Sequence, residues 1–193
     1  ERRIICLEDL LNEYNTEPIQ KLAYEALKEI FENSPRPYQL ALENGSHNII
    51  LQVIKDLAYL ARGNSPLKRE ALEMLQDLIN DNNYDVALRA YDFICGEAKG
   101  ANDTKEEPVI AGVEGVLYGI YSDRTDIRRE MAVRLAKRGL VHAFETTLIL
   151  RRLLESQNET IRERALDVSL LRAPAVASIL RKNPDNADLH QRL

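Results

Sequence analysis

Residues 126–132 read Asp-Ile-Arg-Arg-Glu-Met-Ala, and residues 160–165 read Thr-Ile-Arg-Glu-Arg-Ala. In both segments an aliphatic residue follows a polar one, and a small residue comes about one helical turn later. Related phrases begin at Pro18-Ile19, Pro66-Leu67 and Asp85-Val86, with a weaker copy at Pro108-Val109. Because a short phrase repeated at helical spacing is typical of stacked helical hairpins, the sequence predicts an all-α α-solenoid.

The composition agrees with a folded helical domain. Hydrophobic residues make up 45% and charged residues 30% of the 193 residues, enough for a continuous core. Runs that alternate apolar and polar residues are missing, so we expect almost no sheet. We also expect no membrane span, because no run of about 18 apolar residues occurs. The chain lacks an initiator Met and begins inside an apparent helix, which indicates a fragment of a longer protein.

Two cysteines, Cys6 and Cys95, lie in apolar helical contexts. Without a signal-peptide pattern, they indicate buried thiols in a reducing compartment, and we expect a cytoplasmic location. A disulfide between them is the alternative.

The positions of apolar residues and helix breakers predict the individual helices. In the helix that starts at Pro18, they predict a buried face that includes Ile19, Leu22 and Ile30 together with Ala23, Ala26 and Leu27. Ser46 is expected to cap the N-terminus of a long helix. The predicted helices run over 2–12, 18–33, 38–43, 46–61 and 66–79, then begin near 85, 108, 126 and 160, with a separate helix over 141–155 and further starts at Pro174 and Pro184.

The first of these helices carry a resemblance to a known repeat family. Residues 18–79 resemble the armadillo repeat through the segments IQKLA (19–23) and QLALENG (39–45), and through Leu67, Ala71 and Leu75.

Beyond residue 79 the helix starts come about every 18–20 residues, which resembles the HEAT repeat. In HEAT repeats a second helix typically opens with a polar residue, Val or Ile, and Arg, as in Asp126-Ile127-Arg128 and Thr160-Ile161-Arg162. The segment Asp85-Val86-Ala87 lacks the Arg. The resemblance implies four to five stacked repeats in a right-handed superhelix, with residues 1–95 as an armadillo-like half and 108–193 as a HEAT-like half of a single repeat domain.

Residues 96–107, GEAKGANDTKEE, separate the two halves. The segment is polar, contains glycine and has no periodicity, so it is expected to be a mobile loop between repeats. A loop that contacts a partner is the alternative.

Catalytic and cofactor motifs are missing from the sequence. Its three histidines, His47, His142 and His190, have no second His or Cys at metal-ligand spacing. Some HEAT proteins are di-iron hydroxylases built on His-Glu pairs, and this chain contains no such pair. Gly112, Gly115 and Gly119 lack the Lys-Ser/Thr of a phosphate loop and are expected to allow close helix packing. We therefore expect no metal, no cofactor and no catalysis.

Charge is distributed unevenly. Residues 1–122 hold 12 Lys or Arg against 21 Asp or Glu, whereas residues 123–182 hold 13 against 8. The first part therefore suits a basic partner and the last part an acidic one. The candidate partner-binding residues are Arg124, Arg128, Arg129, Arg151, Arg162 and Arg164.

The alternative role for these arginines is structural. Arg128 and Arg162 occupy the same place in the repeated phrase, and in HEAT-like stacks such an Arg pairs with an acidic residue of a neighbouring repeat.

These observations favour a scaffold or adaptor that binds another protein or peptide along a helical-repeat groove. Two alternatives stay open. The arginine-rich 124–164 segment suits a nucleic acid or an acidic lipid, since phosphates attract clustered Lys and Arg. An armadillo-like chaperone cofactor is the other.

Overall fold

The structure, a computed structural model, describes residues 2–12, 14–96 and 107–182, with the backbone alone at 2–5, 138–145, 179, 180 and 182. The described residues form nine α-helices and one 3₁₀ turn and contain no strand, which confirms the all-α prediction. The helices are α1 (Arg2–Leu10), α2 (Glu17–Ile30), α3 (Arg36–Asn44), α4 (His47–Arg62), α5 (Lys68–Leu78), α6 (Tyr84–Cys95), α7 (Gly112–Leu117), α8 (Thr125–Leu154) and α9 (Glu159–Lys182), and the 3₁₀ turn spans Tyr118–Tyr121.

The chain divides into two compact units, Glu1–Val109 and Ile110–Leu193, called unit 1 and unit 2 below. The predicted mobile loop at 96–107 lies outside the described residues except at its two ends. The predicted helix start at Pro184 also lies outside them.

In unit 1 each helix packs on the next one along the chain, and α4 also packs on α2 and on α6. α2 contacts α3 and α4, and α4 in turn contacts α5 and α6. Helices α2, α4 and α6 thus lie side by side, with α3 and α5 packed against them. Fully buried apolar side chains between these helices form the core, among them Leu27, Val53, Leu57, Leu75 and Phe93.

The predicted buried face of α2 is wrong in part. Ala23 and Leu27 are buried as predicted, but Ile19, Leu22 and Ile30 are 40%, 73% and 49% exposed. The helix is rotated relative to the prediction because the buried stripe is Gln20, Ala23, Tyr24 and Leu27. Two of those four side chains carry polar groups whose hydrogen-bond partners lie elsewhere in unit 1, and apolar periodicity alone does not detect them.

Gln20 explains part of that rotation. Its fully buried side chain donates from Nε2 to the carbonyl oxygens of Asn12 and Asn15, at 2.8 and 3.0 Å. Its Oε1 accepts the backbone N–H of Ser46 at 3.1 Å. Ser46 precedes α4 as predicted, yet its hydroxyl makes no capping bond, so the predicted side-chain cap is wrong and Gln20 supplies an acceptor there.

Most turns between helices are closed in one way. A Ser, Asn or Asp side chain accepts the backbone N–H two residues later, which orients the chain into the next helix. This bond precedes α2, α3, α5, α6, α8 and α9, and the accepting residues are Asn12, Ser34, Ser65, Asp81, Ser122 and Ser156.

Unit 2 departs from the prediction in its helix boundaries. Residues 141–155 do not form a separate helix, because α8 runs without interruption from Thr125 to Leu154. Gly139 alone costs only about 1 kcal/mol in a helix, and no Pro interrupts the segment. Pro174 lies inside α9 and does not start a helix, and the start predicted near 108 falls instead at Gly112.

Cys6 and Cys95 are not joined by a disulfide, and they differ in burial. Cys95 is buried as predicted, but Cys6 is exposed on α1, so the expectation of two buried thiols is wrong for Cys6. Among the described helices, none is long and apolar enough to cross a membrane.

The close packing predicted for the glycine series is found at Gly119 but not at Gly112, where an added Cβ would meet nothing within 4 Å. A Cβ at Gly119 would lie 2.9 Å from Cβ and 3.1 Å from Sδ of Met131 on α8. These contacts are shorter than normal van der Waals distances, so the 3₁₀ turn can approach α8 only with glycine here.

Gly119→Ala should therefore lower the free energy of unfolding by about 1–3 kcal/mol, the usual cost of overpacking a core. The matched control is Gly63→Ala, because a Cβ at Gly63 has its nearest neighbour at 3.5 Å and the φ angle is −79°. The control should stay within about 0.5 kcal/mol of the wild type in urea denaturation. Equal stability of the two variants would contradict the packing role.

Candidate functional site

A groove of about 520 Å³ lies between α4 and α6 in unit 1. Charged and amide side chains line most of it, with Leu51 and Leu88 as its apolar part. The polar lining residues are His47, Asn48, Gln52, Lys55, Asp85, Arg89 and Asp92.

Helical spacing places these side chains on facing surfaces. On α4, residues 48, 52 and 55 follow one another at intervals of four and three, and on α6 residues 85, 89 and 92 do the same. Arg89 stacks its guanidinium on the Phe93 ring at 4.6 Å from the centroid, which holds this cation in a defined place. The groove therefore presents cations and anions along its length.

Asp56 fixes the orientation of α4 toward α2. Its Oδ2 accepts the Tyr24 hydroxyl at 2.9 Å and the Lys28 ammonium at 2.8 Å, and its Oδ1 accepts Gln52 Nε2 at 2.7 Å. Lys28 also pairs with Glu25 at 2.9 Å. Because Gln52 lines the groove, the carboxylate of Asp56 connects the α2–α4 contact to the groove wall.

Near neutral pH the Tyr24 hydroxyl keeps its proton and the Lys28 ammonium keeps its charge. Burial, reinforced by the charge of Asp56, raises the pKa of Tyr24 far above its ordinary value. Burial lowers the pKa of Lys28, but the hydrogen bonds to Asp56 and Glu25 outweigh that effect and leave the pKa raised. Since the folded pKa of Lys28 exceeds the unfolded one, its stabilisation is fully present below about pH 10 and is lost only as the pH rises further.

Two further contacts extend the polar surface toward the N-termini of the helices. Asn48 Nδ2 donates to Glu17 Oε2 of α2 at 2.8 Å. His47 Nδ1 lies 3.4 Å from Nδ2 of Asn83, the residue that caps α6. Polar side chains thus join α2, α4 and α6 at one end of the layer.

In unit 2, the predicted arginines Arg124, Arg128, Arg162 and Arg164 are held mainly by contacts within the unit. Arg124 donates to both carboxylate oxygens of Asp126, at 3.0 and 2.7 Å, and this bond lowers the pKa of Asp126. Arg164 donates to the carbonyl oxygens of Ile120 and Tyr121 and to Asp123, and so ties α9 to the 3₁₀ turn.

Arg128 and Arg162 make the same contact in two places. Each donates from Nη1 to the carbonyl oxygen of the serine six residues earlier, Ser122 or Ser156, at 2.8 Å. Arg128 also lies 4.0 Å from Asp167 of α9, an acidic residue on the neighbouring helix. Both arginines therefore close the turn before their own helix.

The remaining two candidates, Arg129 and Arg151, are exposed on α8. Arg151 pairs with Glu155 one helical turn later at 2.9 Å, whereas Arg129 makes no recorded bond among the described residues. Of the six predicted arginines, Arg129 is thus the one without a hydrogen bond or ion pair among the described residues.

The described residues hold no group of three or more His, Cys, Asp or Glu side chains placed to bind a metal ion. The groove holds no Ser or Cys nucleophile among its lining residues, and His47 is there beside an amide. The arrangement suits recognition of another molecule by hydrogen bonds and charge.

No protein-family model matches this chain, and no curated protein matches it either. The function must therefore be argued from the geometry of the chain itself.

Sequence reasoning about sites concentrated on the arginines and missed the groove in unit 1. The available signal was the polar stripe at 48, 52 and 55 and at 85, 89 and 92, which runs beside the apolar stripe of each helix. That stripe resembles an ordinary solvated helix face until α4 and α6 are known to lie side by side.

Asp56→Ala should lower the free energy of unfolding by about 2–3 kcal/mol, because it leaves the buried Tyr24 hydroxyl without its acceptor and the Lys28 ammonium with Glu25 alone. Glu25→Ala is the matched control, since this carboxylate also pairs with Lys28 but is 47% exposed. The control should cost less than about 1 kcal/mol. Urea denaturation at pH 7 measures both, and equal losses would show that Asp56 does not organise the contact.

Arg128→Ala and Arg162→Ala should each cost about 1–3 kcal/mol, because a turn carbonyl loses a charged donor. Arg129→Ala, one residue along α8 and exposed, should stay within about 0.5 kcal/mol of the wild type. Thermal unfolding of the three variants distinguishes these roles. Unchanged stability of the Arg128 and Arg162 variants would contradict this structural role and would leave partner binding as the role of both residues.

Proposed function

We propose that the chain is a protein-binding scaffold without catalytic activity, which holds a peptide segment of its partner in the groove between α4 and α6. The observation that carries this proposal is the groove itself, open, about 520 Å³ in volume and lined by both signs of charge. Such a lining recognises a partner by complementary charge and backbone hydrogen bonds, which extended peptides provide.

The packing order supports the proposal that the helices are armadillo- or HEAT-like repeats. In unit 1 the sets α2–α3–α4 and α4–α5–α6 have the same neighbour relations, and the two turns closed by Arg128 and Arg162 repeat in unit 2. We extend the proposal to a right-handed stack within each unit. Stacked repeats leave a surface formed by successive equivalent helices, here α2, α4 and α6.

Charge narrows the class of partner for unit 1. The acidic balance of residues 1–122 favours a basic segment. Asp85, near the start of α6, and Asp92 supply anions in the groove, while Lys55 and Arg89 reject a segment that carries only positive charge. A peptide with basic residues and at least one acidic residue fits this pattern.

The contacts of the arginines give less support to binding of nucleic acid or acidic lipid. Phosphate binding needs cations that are free to approach it, and four of the six candidates already donate to carbonyl or carboxylate oxygens of unit 2 through mostly buried side chains. No feature of the described structure specifically favours the alternative of an armadillo-like chaperone cofactor.

Peptides of twelve random residues displayed on phage and selected on the full chain supply the probes for a test. Synthetic copies of enriched peptides are then measured by fluorescence polarisation. Lys55→Glu and Asp85→Lys reverse one charge each in the groove and should weaken binding at least about tenfold, since close charge pairs at interfaces are worth more than 1.4 kcal/mol.

Lys68→Glu is the matched control, because Lys68 is an exposed cation on α5 that does not line the groove. It should bind the peptides as the wild type does. The proposal fails if no peptide is enriched, or if the groove variants bind as tightly as the control.

A further inference from the structure

A cleft of about 240 Å³ lies between α8 and α9 within unit 2. One wall belongs to α8 and is lined by Thr147, Leu150, Arg151 and Leu154, which lie on one face of that helix. Ser169 and Arg172 line the other wall, one helical turn apart. Leu150 is buried and forms an apolar floor, while both walls carry polar groups.

Arg172 lacks what four other arginines of unit 2 have, an oxygen acceptor among the described residues. Its Nε is buried and has no hydrogen-bond partner in the described part of the chain; the Nε of Arg128 is likewise unpartnered, but Arg128 donates from Nη1 to Ser122. Burial lowers the pKa of its guanidinium, and no neighbouring charge acts in the opposite direction. Arg124, Arg128, Arg162 and Arg164 each donate to an oxygen of the chain.

A partly buried cation without an acceptor costs stability, so an acceptor supplied from outside would recover that cost. None of the polar residues that line the cleft makes a hydrogen bond or ion pair with Arg172 in the described structure. Ser169 gives its hydroxyl hydrogen to the Ala165 carbonyl at 2.7 Å, and Arg151 is itself a cation paired with Glu155. The cleft thus has a defined donor, a second cation beside it and an apolar floor.

We propose that this cleft binds the carboxylate of an acidic residue from a protein partner, with Arg172 as its specific contact. The inference rests on the proposed function of the chain as a protein-binding scaffold. Unit 1 was proposed to bind a basic segment, whereas this cleft in unit 2 would bind an acidic one. Residues 123–182 hold 13 Lys or Arg against 8 Asp or Glu, so long-range charge attracts an acidic segment to this unit.

Size and lining favour a carboxylate side chain. A volume of about 240 Å³ equals that of about eight waters, which suits one acidic side chain and part of its neighbour. The guanidinium fork matches the two oxygens of a carboxylate, and Leu150 and Leu154 contact the methylene groups beside it. Phosphate usually requires several converging cations or backbone amides, whereas the second cation of this cleft, Arg151, is already paired with Glu155.

The test uses NMR of the full chain with three probes, which are acetyl-Leu-Glu-Leu-amide, acetyl-Leu-Gln-Leu-amide and inorganic phosphate. The Arg172 Nε–H signal should shift saturably with the Glu peptide, and the Gln peptide should bind at least about tenfold more weakly. Arg172→Gln should weaken binding of the Glu peptide at least tenfold, followed at the Ser169 amide. Arg152→Gln removes an exposed arginine of α8 outside the cleft and should not change it.

Equal binding of the Glu and Gln peptides, or an unchanged affinity in Arg172→Gln, would overturn the inference. Tighter binding of phosphate than of the Glu peptide would overturn the carboxylate assignment.

The stability of the unliganded chain separates a ligand contact from a structural one. Arg172→Met keeps the length of the side chain and removes the unpaired charge, so the Tm should equal or exceed that of the wild type. A Tm lowered by several degrees would show that Arg172 stabilises the fold, and the inference would fail. The groove variants in unit 1 use other residues and other probes, so failure of the proposed groove and failure of this cleft are distinguishable.

Discussion

One kind of local hydrogen bond precedes six of the nine α-helices in the described part of the chain. A Ser, Asn or Asp side chain accepts the N–H two residues later, and six helices start after such a turn. Each bond contributes only about 0.5–1.5 kcal/mol, but it replaces water at a turn and restricts the angle at which the next helix leaves.

Where this bond is missing, a distant residue substitutes for it. Before α4 the Ser46 hydroxyl makes no bond, and the Ser46 N–H is taken by Gln20 from α2. The fold therefore depends on a glutamine that hydropathy assigns to the surface. The number and approximate position of the helices in unit 1 followed from breakers and periodicity, but the rotation of α2 did not, because it is set by Gln20 and Tyr24, whose partners are 26 and 32 residues away.

The same reasoning explains the outcome for the arginines. The sequence indicated correctly that Arg128 and Arg162 are equivalent, since a repeated phrase gives equivalent local geometry. It could not show what they contact, because the acceptors are carbonyl oxygens of the preceding turns, and every residue has a carbonyl. The separate helix over 141–155 was wrong for a related reason, since Gly139 weakens a helix without ending it and only tertiary packing decides the result.

The contacts that an arginine makes within the chain therefore indicate whether its role is structural or whether it is available to a partner. A guanidinium that donates to a turn carbonyl has its role in the fold, and its loss would lower stability first. Arg172 has no such acceptor in the described structure, yet its Nε is buried between α8 and α9. Folding alone gives no reason to keep a charge there, because an apolar side chain of similar length would avoid the desolvation cost. A bound carboxylate that offsets this desolvation cost would account for the charge of Arg172 at this position.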